Sequence, residues 1–208
     1  MAAMPGLRAA IIVFDGVEEL DFVGPWEVFT MAGQVGADLG AVTVGWPNRN
    51  IRCAKGLRII ADYEMPATPF ADIVLVPGGM GARALAEDAD FLGHLQRLMA
   101  PARWQTSVCT GSALLGRAGF LDGKRATTHH NAFPFLLASA PKAIPVRGER
   151  YVVDGQVVTA AGVSAGIDMA LWLVGEIFGP EMARKTQTAM EYFPNPPYDT
   201  PPPAGTRS

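Results

Sequence analysis

Short apolar runs that stop abruptly at glycine or proline constrain the fold of this chain more than any other feature of its sequence. One such run, Ala9–Phe14, is ended by Asp15-Gly16, and another, Asp72–Val76, is ended by Pro77-Gly78-Gly79. Runs of this length are typical of strands buried on both faces, which occur in parallel sheets covered by helices on each side. The two runs therefore predict a buried sheet at the centre of the protein.

Predicted strands and helices alternate along the rest of the chain. Further strands are predicted at Ala41–Gly45, Leu57–Ala61 and Trp104–Val108, and in a hairpin of Tyr151–Val153 and Gln156–Thr159 that turns at Asp154-Gly155, the dipeptide preferred in type I′ turns. Helices are predicted from Pro25 to Gly33, around Phe91–Met99, and at Thr110–Ala118, Ser164–Phe178 and Pro180–Met190. This order predicts an α/β sandwich around a mostly parallel sheet.

The composition narrows the class of protein. A hydrophobic fraction of 49% with only 18% charged residues excludes intrinsic disorder. The net charge of −3, with no long basic stretch, argues against a nucleic-acid partner. The longest apolar helical segment contains Asp168 and Glu176 and falls short of a membrane span, and no signal-peptide pattern is seen. Two cysteines cannot build a disulfide framework and favour a reduced, cytoplasmic location.

The length of 208 residues fits one domain, which we expect to cover residues 1–193. Six of the fifteen residues from 194 to 208 are proline. We expect this Pro-rich tail to be extended and to pack on the surface or on a partner subunit.

Cys109 stands where the chemistry of such a sheet is expected. Reactive groups collect beyond the carboxyl ends of parallel strands, and Cys109 follows the predicted strand Trp104–Val108. Small residues two positions away on each side, Ser107 and Gly111, give the spacing of a nucleophile elbow. A helix predicted after the elbow points its N-terminus at the sulfur, so we expect a thiolate that persists well below pH ~8.5. The alternative is a buried structural cysteine, and Cys53 lacks the elbow context altogether.

Backbone amides and a carboxylate are the expected partners of this sulfur. The amide of Thr110 and the Gly78-Gly79 turn, Gly79 above all, are candidates for meeting charge that develops on a bound substrate, although the glycines also suit a simple tight turn. Asp21 follows the first strand and is a candidate acid or base. Its alternative role is that of an N-cap.

Histidine and metal chemistry find less support in the sequence. His94 is predicted on the surface of a helix. His129 and His130 are adjacent, so we expect their side chains to point in different directions and not to reach one site together. No set of ligands at metal-binding spacing is present, so no metal is expected.

These motifs resemble the DJ-1/PfpI superfamily, whose fold is a flavodoxin-like α/β/α sandwich of the class I glutamine amidotransferase-like type. The resemblance to its isocyanide hydratase branch is closer and spans roughly Ala9 to Tyr198. It rests on the segments Leu20–Pro25, Thr106–Gly111, Gly123–His129, Ala165–Asp168, and Glu191-Tyr192 followed by Pro194–Pro197. One departure is His130, where an aromatic residue such as tryptophan would be expected.

The resemblance implies a homodimeric hydratase that converts a small-molecule isocyanide and water into an N-substituted formamide, with no metal or other cofactor. Cys109 would attack the isocyanide carbon to give a thioimidate. Asp21 would protonate that carbon and then handle water, and Thr110 would assist through its hydroxyl or its amide.

Other branches of the superfamily supply the alternatives. Glyoxalase-like or deglycase-like enzymes share the cysteine and usually an acidic partner, and a redox-sensing or ligand-sensing protein would use the cysteine without turnover. Peptidase-like members carry Cys-His at the elbow, and the Cys109-Thr110 pair argues against them. Transcription regulators add a DNA-binding region, and the final segment Pro201–Gly205 leads us to expect none here.

Overall fold

In the computed structural model, which describes residues 6–198, a seven-stranded sheet forms the centre of the fold. The strands, including those of two small two-stranded sheets, are β1 (Leu7–Phe14), β2 (Leu39–Trp46), β3 (Asn50–Arg52), β4 (Arg58–Ile60), β5 (Tyr63–Glu64), β6 (Ile73–Val76), β7 (Trp104–Val108), β8 (Arg125–Ala126), β9 (Ile144–Pro145), β10 (Tyr151–Asp154) and β11 (Val157–Ala160). The α-helices are α1 (Glu19–Gln34), α2 (Ala82–Leu85), α3 (Ala89–Met99), α4 (Gly111–Arg117), α5 (Phe133–Ser139), α6 (Ala165–Phe178) and α7 (Pro180–Ala189).

The large sheet is mostly parallel. Its strands follow the order β10-β11-β7-β6-β1-β2-β5, and every neighbouring pair is parallel except the β10–β11 hairpin. Strands β2, β1, β6, β7 and β11 therefore reproduce the 2-1-3-4-5 order of flavodoxin-like sheets. The predicted α/β sandwich around a mostly parallel sheet is confirmed.

Strand β1 shows why the sheet carries helices on both faces. All five residues of Ala9–Val13 are completely buried. Successive side chains of a strand point to opposite faces, so complete burial of five in a row requires cover on each side. Helices α1, α6 and α7 pack against one another, and α4 packs against α2 and α5. The apolar run in the sequence therefore corresponds to a strand whose two faces are both covered.

Helix α1 begins earlier than predicted. It starts at Glu19, and Pro25 lies inside it instead of at its first position. Pro25 has no N–H to donate to the carbonyl oxygen of Asp21, four residues earlier, so the interior proline costs the helix one hydrogen bond. The turn that precedes Pro25 is nevertheless helical, and it buries Asp21 and Phe22.

The β10–β11 hairpin turns one residue later than predicted. Asp154 is the last residue of β10 and pairs with Val157, which leaves Gly155 and Gln156 as the two-residue loop. Gly155 has a φ of 64°, whereas Gln156 is not among the residues with positive φ. A type I′ turn needs positive φ at both loop residues, so that prediction is wrong.

The C-terminal tail is described only in part. Residues 194–198 contain no helix or strand, and residues 199–208 lie outside the described part of the chain, so the predicted packing of the Pro-rich tail stays a prediction. Within residues 6–198, no helix is long and apolar enough to cross a membrane.

Candidate active site

The carboxyl ends of three neighbouring strands bring the predicted site residues to one edge of the sheet. Strands β1 and β6 are hydrogen-bonded neighbours although β2 intervenes in the chain, and such a switch point is where open α/β sheets bind ligands. Asp21 follows β1, the Gly78-Gly79 turn follows β6, and Cys109 follows β7. The sequence therefore placed these groups at the correct edge.

Cys109 occupies a sharp turn between β7 and α4. Its φ is 56°, in the left-handed region that residues with a side chain rarely adopt. The Cys109 amide donates to the carbonyl oxygens of Ala160 (3.1 Å) and Ala161 (3.0 Å), and its carbonyl oxygen accepts from the Thr128 hydroxyl (2.9 Å). These bonds hold a backbone conformation that would otherwise relax, as is typical of functional turns.

Gly111 shows why small residues are required beside the elbow. A Cβ atom added there would overlap with the Val76 carbonyl oxygen and lie 2.8 Å from that of Pro77. The start of α4 therefore passes directly against the end of β6. Any larger residue would push the elbow away from the neighbouring turn.

Thr110 and the Gly78-Gly79 turn are joined by hydrogen bonds. The Gly79 amide donates to Thr110 Oγ1 (3.0 Å), and that hydroxyl donates to the Gly79 carbonyl oxygen (3.3 Å). The Gly78 amide donates to Asp21 Oδ2 (2.9 Å). A Cβ atom on Gly78 would lie 2.5 Å from the Thr110 nitrogen, so this position admits only glycine. Both glycine amides donate to side chains of the site here. Their predicted role, stabilising negative charge on a bound substrate, stays a prediction.

Asp21 is completely buried in the first turn of α1. Glu18 is the N-cap residue, so the alternative role of Asp21 as the N-cap is wrong. Burial raises the pKa of Asp21 to about 7, although the Gly78 amide opposes this rise. Its Oδ1 atom is buried and has no hydrogen-bond partner among the described residues. A carboxyl group with one oxygen held by an amide and a pKa near neutrality can act as a general acid or base.

The Asp21 carboxyl and the Cys109 thiol lie close enough for each to shift the pKa of the other. Burial raises the pKa of Cys109 to about 12, and the charge of Asp21 adds to this rise, while the Thr110 amide and hydroxyl oppose it. The predicted lowering of the Cys109 pKa is therefore wrong, because loss of water outweighs the effect of the following helix. The two groups titrate as a pair that retains one proton between pH about 7 and about 12.

Val163 is a neighbour of the pair that the sequence analysis missed. It lies just before α6 and has a φ of 49°, which is exceptional for a β-branched residue. Its backbone amide faces the Asp21 carboxyl and lowers the pKa of that group, less than burial raises it. No sequence signal predicts a left-handed conformation at a valine, so only the structure could reveal it.

The three histidines differ in part from expectation, whereas Cys53 lies in a loop without an elbow, as predicted. The rings of His129 and His130 lie 4.2 Å apart, so the prediction that they point in different directions is wrong. His94 is half-buried and contacts the Trp46 ring, with 5.3 Å between ring centroids. Cys53 is buried in the loop between β3 and β4. The described residues contain no group of three or more side chains suited to hold a metal ion.

The chain is similar to known proteins in both sequence and fold. The DJ-1/PfpI family model matches residues 7–176. The isonitrile hydratase of Pseudomonas putida is 38% identical over 198 residues, which cover 93% of this chain and 82% of that relative. The Parkinson disease protein 7 homolog of Danio rerio is 27% identical over 193 residues, covering 90% of this chain and 98% of the relative. A crystal structure of a ThiJ/PfpI family protein from Pseudomonas syringae matches 96% of this chain and 81% of its own, with a TM-score of 0.84 and 31% identity.

Proposed function

Because the chain belongs to the DJ-1/PfpI family, we propose that it is an isocyanide hydratase, which adds water to an isocyanide to give an N-substituted formamide. Isonitrile and isocyanide are two names for one functional group, so the Pseudomonas putida relative supports this substrate class. The observation that carries the proposal is the pairing of Cys109 at a strained elbow with the fully buried Asp21 carboxyl.

The first half of the reaction forms a covalent intermediate on Cys109. The sulfur bonds to the terminal isocyanide carbon, and the proton of the pair passes through Asp21 to the same carbon. The product of this step is the thioimidate Cys109–S–CH=N–R, in which the sulfur and the substrate are neutral and Asp21 is a carboxylate. A soft sulfur nucleophile beside a proton donor meets both needs of an isocyanide carbon, which must gain one nucleophile and one proton.

The second half releases the formamide. Asp21 accepts a proton from water as the water oxygen bonds to the thioimidate carbon, and it passes that proton to the nitrogen. The C–S bond then breaks as the new hydroxyl group becomes the carbonyl group. The hydroxyl proton passes through Asp21 to the sulfur, and R–NH–CHO leaves. The sum of both halves is one isocyanide plus one water giving one formamide, so the pair returns to its initial protonation state.

Thr110 supports both steps through its two polar groups. Its amide and hydroxyl both lower the pKa of Cys109, so they favour negative charge on the sulfur whenever the thiol loses its proton. Its hydroxyl is fixed by the two hydrogen bonds with Gly79. The homodimer implied by the resemblance is part of the same proposal.

Formamide production from n-butyl isocyanide tests this function. We expect turnover by the wild-type protein, with kcat/KM rising to a plateau as pH passes about 7, where the Asp21–Cys109 pair loses its first proton. Asp21→Asn should lower kcat by about 10²–10⁴-fold and abolish that pH dependence, since proton transfer by a positioned side chain contributes about this much.

A parallel assay distinguishes the glyoxalase alternative. Lactate formation from methylglyoxal, with no formamide formed from the isocyanide at any pH between 5 and 9, would reject the proposal. Wild-type turnover of the isocyanide that Asp21→Asn leaves intact would reject the role of Asp21 but keep the substrate class.

A further inference from the structure

Two of the segments that resemble the hydratase branch have no part in the proposed chemistry, yet they meet in the structure. The Tyr192 hydroxyl donates to Asp168 Oδ1 (2.8 Å). From the opposite side, Arg150 Nε donates to Asp168 Oδ2 (2.6 Å), and another nitrogen of its guanidinium donates to Ser164 Oγ (3.1 Å). Arg150, Asp168 and Tyr192 are together called the α6 clamp below.

The hydrogen bonds of the α6 clamp hold the strained turn that leads into α6. Ser164 directly follows Val163, whose φ is 49°, and Asp168 lies in the first turn of α6. A β-branched residue in the left-handed region stays there only when its surroundings hold it. The clamp supplies three polar contacts on the outer side of this turn.

The inner side of the same turn reaches the catalytic pair. The Cys109 amide donates to the Ala161 carbonyl oxygen (3.0 Å), and the Ala161 amide donates to the Arg150 carbonyl oxygen (2.8 Å). Arg150 therefore holds both ends of the segment between Ala161 and Ser164, one with its backbone and one with its side chain. Val163 lies in the middle of that segment, and its amide lowers the pKa of Asp21.

Close packing transmits a movement of α6 to α1. A Cβ atom on Gly166 would lie 2.9 Å from Val108 Cγ2 and 3.0 Å from Pro25 Cγ, and one on Gly24 would lie 2.9 Å from Ile167 Cγ1. The first turn of α6 thus has no free space against the helix that carries Asp21. A shift at the clamp would therefore also displace the helix that carries Asp21 and the strand that precedes Cys109.

We propose that the α6 clamp is a set of positioning residues that holds the segment from Ala161 to Ser164, and through the Ala161 carbonyl oxygen the Cys109 elbow, in place beside Asp21. Its members do not touch the reacting atoms. The Arg150 and Asp168 side chains are 50% and 29% exposed, so their ion pair adds little to global stability, and its effect is on the geometry of the turn. The link to turnover rests on the proposed function, whereas the link to Cys109 does not.

Alkylation of Cys109 by iodoacetamide as a function of pH tests the clamp independently of any isocyanide. The measurement uses Cys53→Ala as the background, so that Cys109 is the only cysteine. Tyr192→Phe and Arg150→Met are compared with Tyr151→Phe. Tyr151 has a phenol near Asp168, but no hydrogen bond from its hydroxyl is found among the described residues.

Loosening the clamp withdraws an amide that favours the ionised form of Asp21. The midpoint of the alkylation profile should therefore shift upward, by up to about one pH unit, in Tyr192→Phe and Arg150→Met. Where isocyanide turnover is present, kcat should fall about tenfold with KM within about twofold, because only the alignment of proton transfer is disturbed. Tyr151→Phe should match the background protein in each measurement.

Two results would overturn the proposal. One is an unchanged alkylation midpoint in both clamp variants, even with a lowered unfolding temperature, since that would make the clamp a purely structural contact. The other is an equal shift in Tyr151→Phe. A shifted midpoint in a protein that hydrates no isocyanide would reject the proposed function and keep the clamp.

Discussion

The two cysteines have similar burial and similar thiol pKa values, and only Cys109 belongs to the proposed site. Cys53 is 3% exposed and Cys109 is 8% exposed. Burial raises the pKa of Cys53 to about 11 and that of Cys109 to about 12, and nearby carboxylates add to the rise in both cases. Burial, nearby charge and thiol pKa therefore do not distinguish the proposed nucleophile from the other cysteine.

The backbone and the partner acid make the difference. Cys109 has a φ of 56° at the carboxyl edge of the sheet, whereas Cys53 lies in the β3–β4 loop, outside the left-handed region, with its amide bonded to the Leu57 carbonyl oxygen (2.8 Å). The acid beside Cys109, Asp21, is completely buried, has a pKa near 7 and keeps one oxygen unpartnered. The comparison indicates that a proton acceptor built next to the sulfur, not an acidic thiol, creates the site.

Replacing each cysteine by alanine gives the largest expected contrast. Cys109→Ala should lower kcat/KM for isocyanide hydration by about a thousandfold or more, as loss of a nucleophile does in other enzymes. Cys53→Ala should stay within about twofold of the wild-type protein, because it removes only a buried thiol that is not part of the elbow. Turnover by Cys109→Ala close to the wild-type rate would show that the sulfur forms no covalent intermediate.

Sequence patterns predicted the parts of the site that depend on local chain order. Apolar runs located β1 and β6, and β7 was predicted as a further strand. The position just after each of these strands correctly brought Asp21, Gly78-Gly79 and Cys109 to one edge of the sheet. The small residues around Cys109 predicted its sharp turn, which the φ of 56° confirms.

What the sequence did not reveal depends on groups that folding brings together from distant positions. The pKa of Cys109 rises because of burial and of Asp21, neither of which its immediate neighbours encode. The early start of α1 reflects packing that overrides the preference of Pro25 for a first position. The left-handed Val163 and the clamp around Asp168 arise from contacts among three separate segments.

The next contrast concerns stability as a function of pH. The pKa of Asp21 is raised from 3.8 to about 7, so between these values the folded protein binds a proton that the unfolded chain does not. The free energy of unfolding must therefore fall as pH rises through this range. The full pKa shift of Asp21 corresponds to a loss on the order of 4 kcal/mol. Asp21→Asn removes the effect, and urea unfolding at pH 5, 6, 7 and 8 should show the variant gaining on the wild-type protein with rising pH.

Cys53→Ala is the matched control for this measurement. The pKa of Cys53 rises from 9.0 to about 11, so this thiol changes the pH dependence of the unfolding free energy only above pH 9. Its unfolding free energy should differ from that of the wild-type protein by the same amount at each pH from 5 to 8. Parallel curves for Asp21→Asn and the wild-type protein would contradict the assignment of a buried, protonatable carboxyl to Asp21.

The smallest expected contrast compares a glycine beside each cysteine. Gly111 has an ordinary helical φ, so alanine would suit its backbone, but a Cβ atom would overlap with the Val76 carbonyl oxygen. Gly56 is the reverse case. Its φ is 99°, which strains any residue with a side chain, but a Cβ atom there would meet nothing within 4 Å.

Alanine at these two positions therefore separates the cost of packing from the cost of backbone strain. Gly111→Ala should lower the free energy of unfolding by about 3 kcal/mol, as overpacking does, and reduce turnover because the elbow must move. Gly56→Ala should cost about 1 kcal/mol through its backbone alone and leave turnover within about twofold. Urea unfolding and kcat/KM measure both effects, and a larger loss of activity in Gly56→Ala would show that the Cys53 loop, not the elbow, governs the geometry of the site.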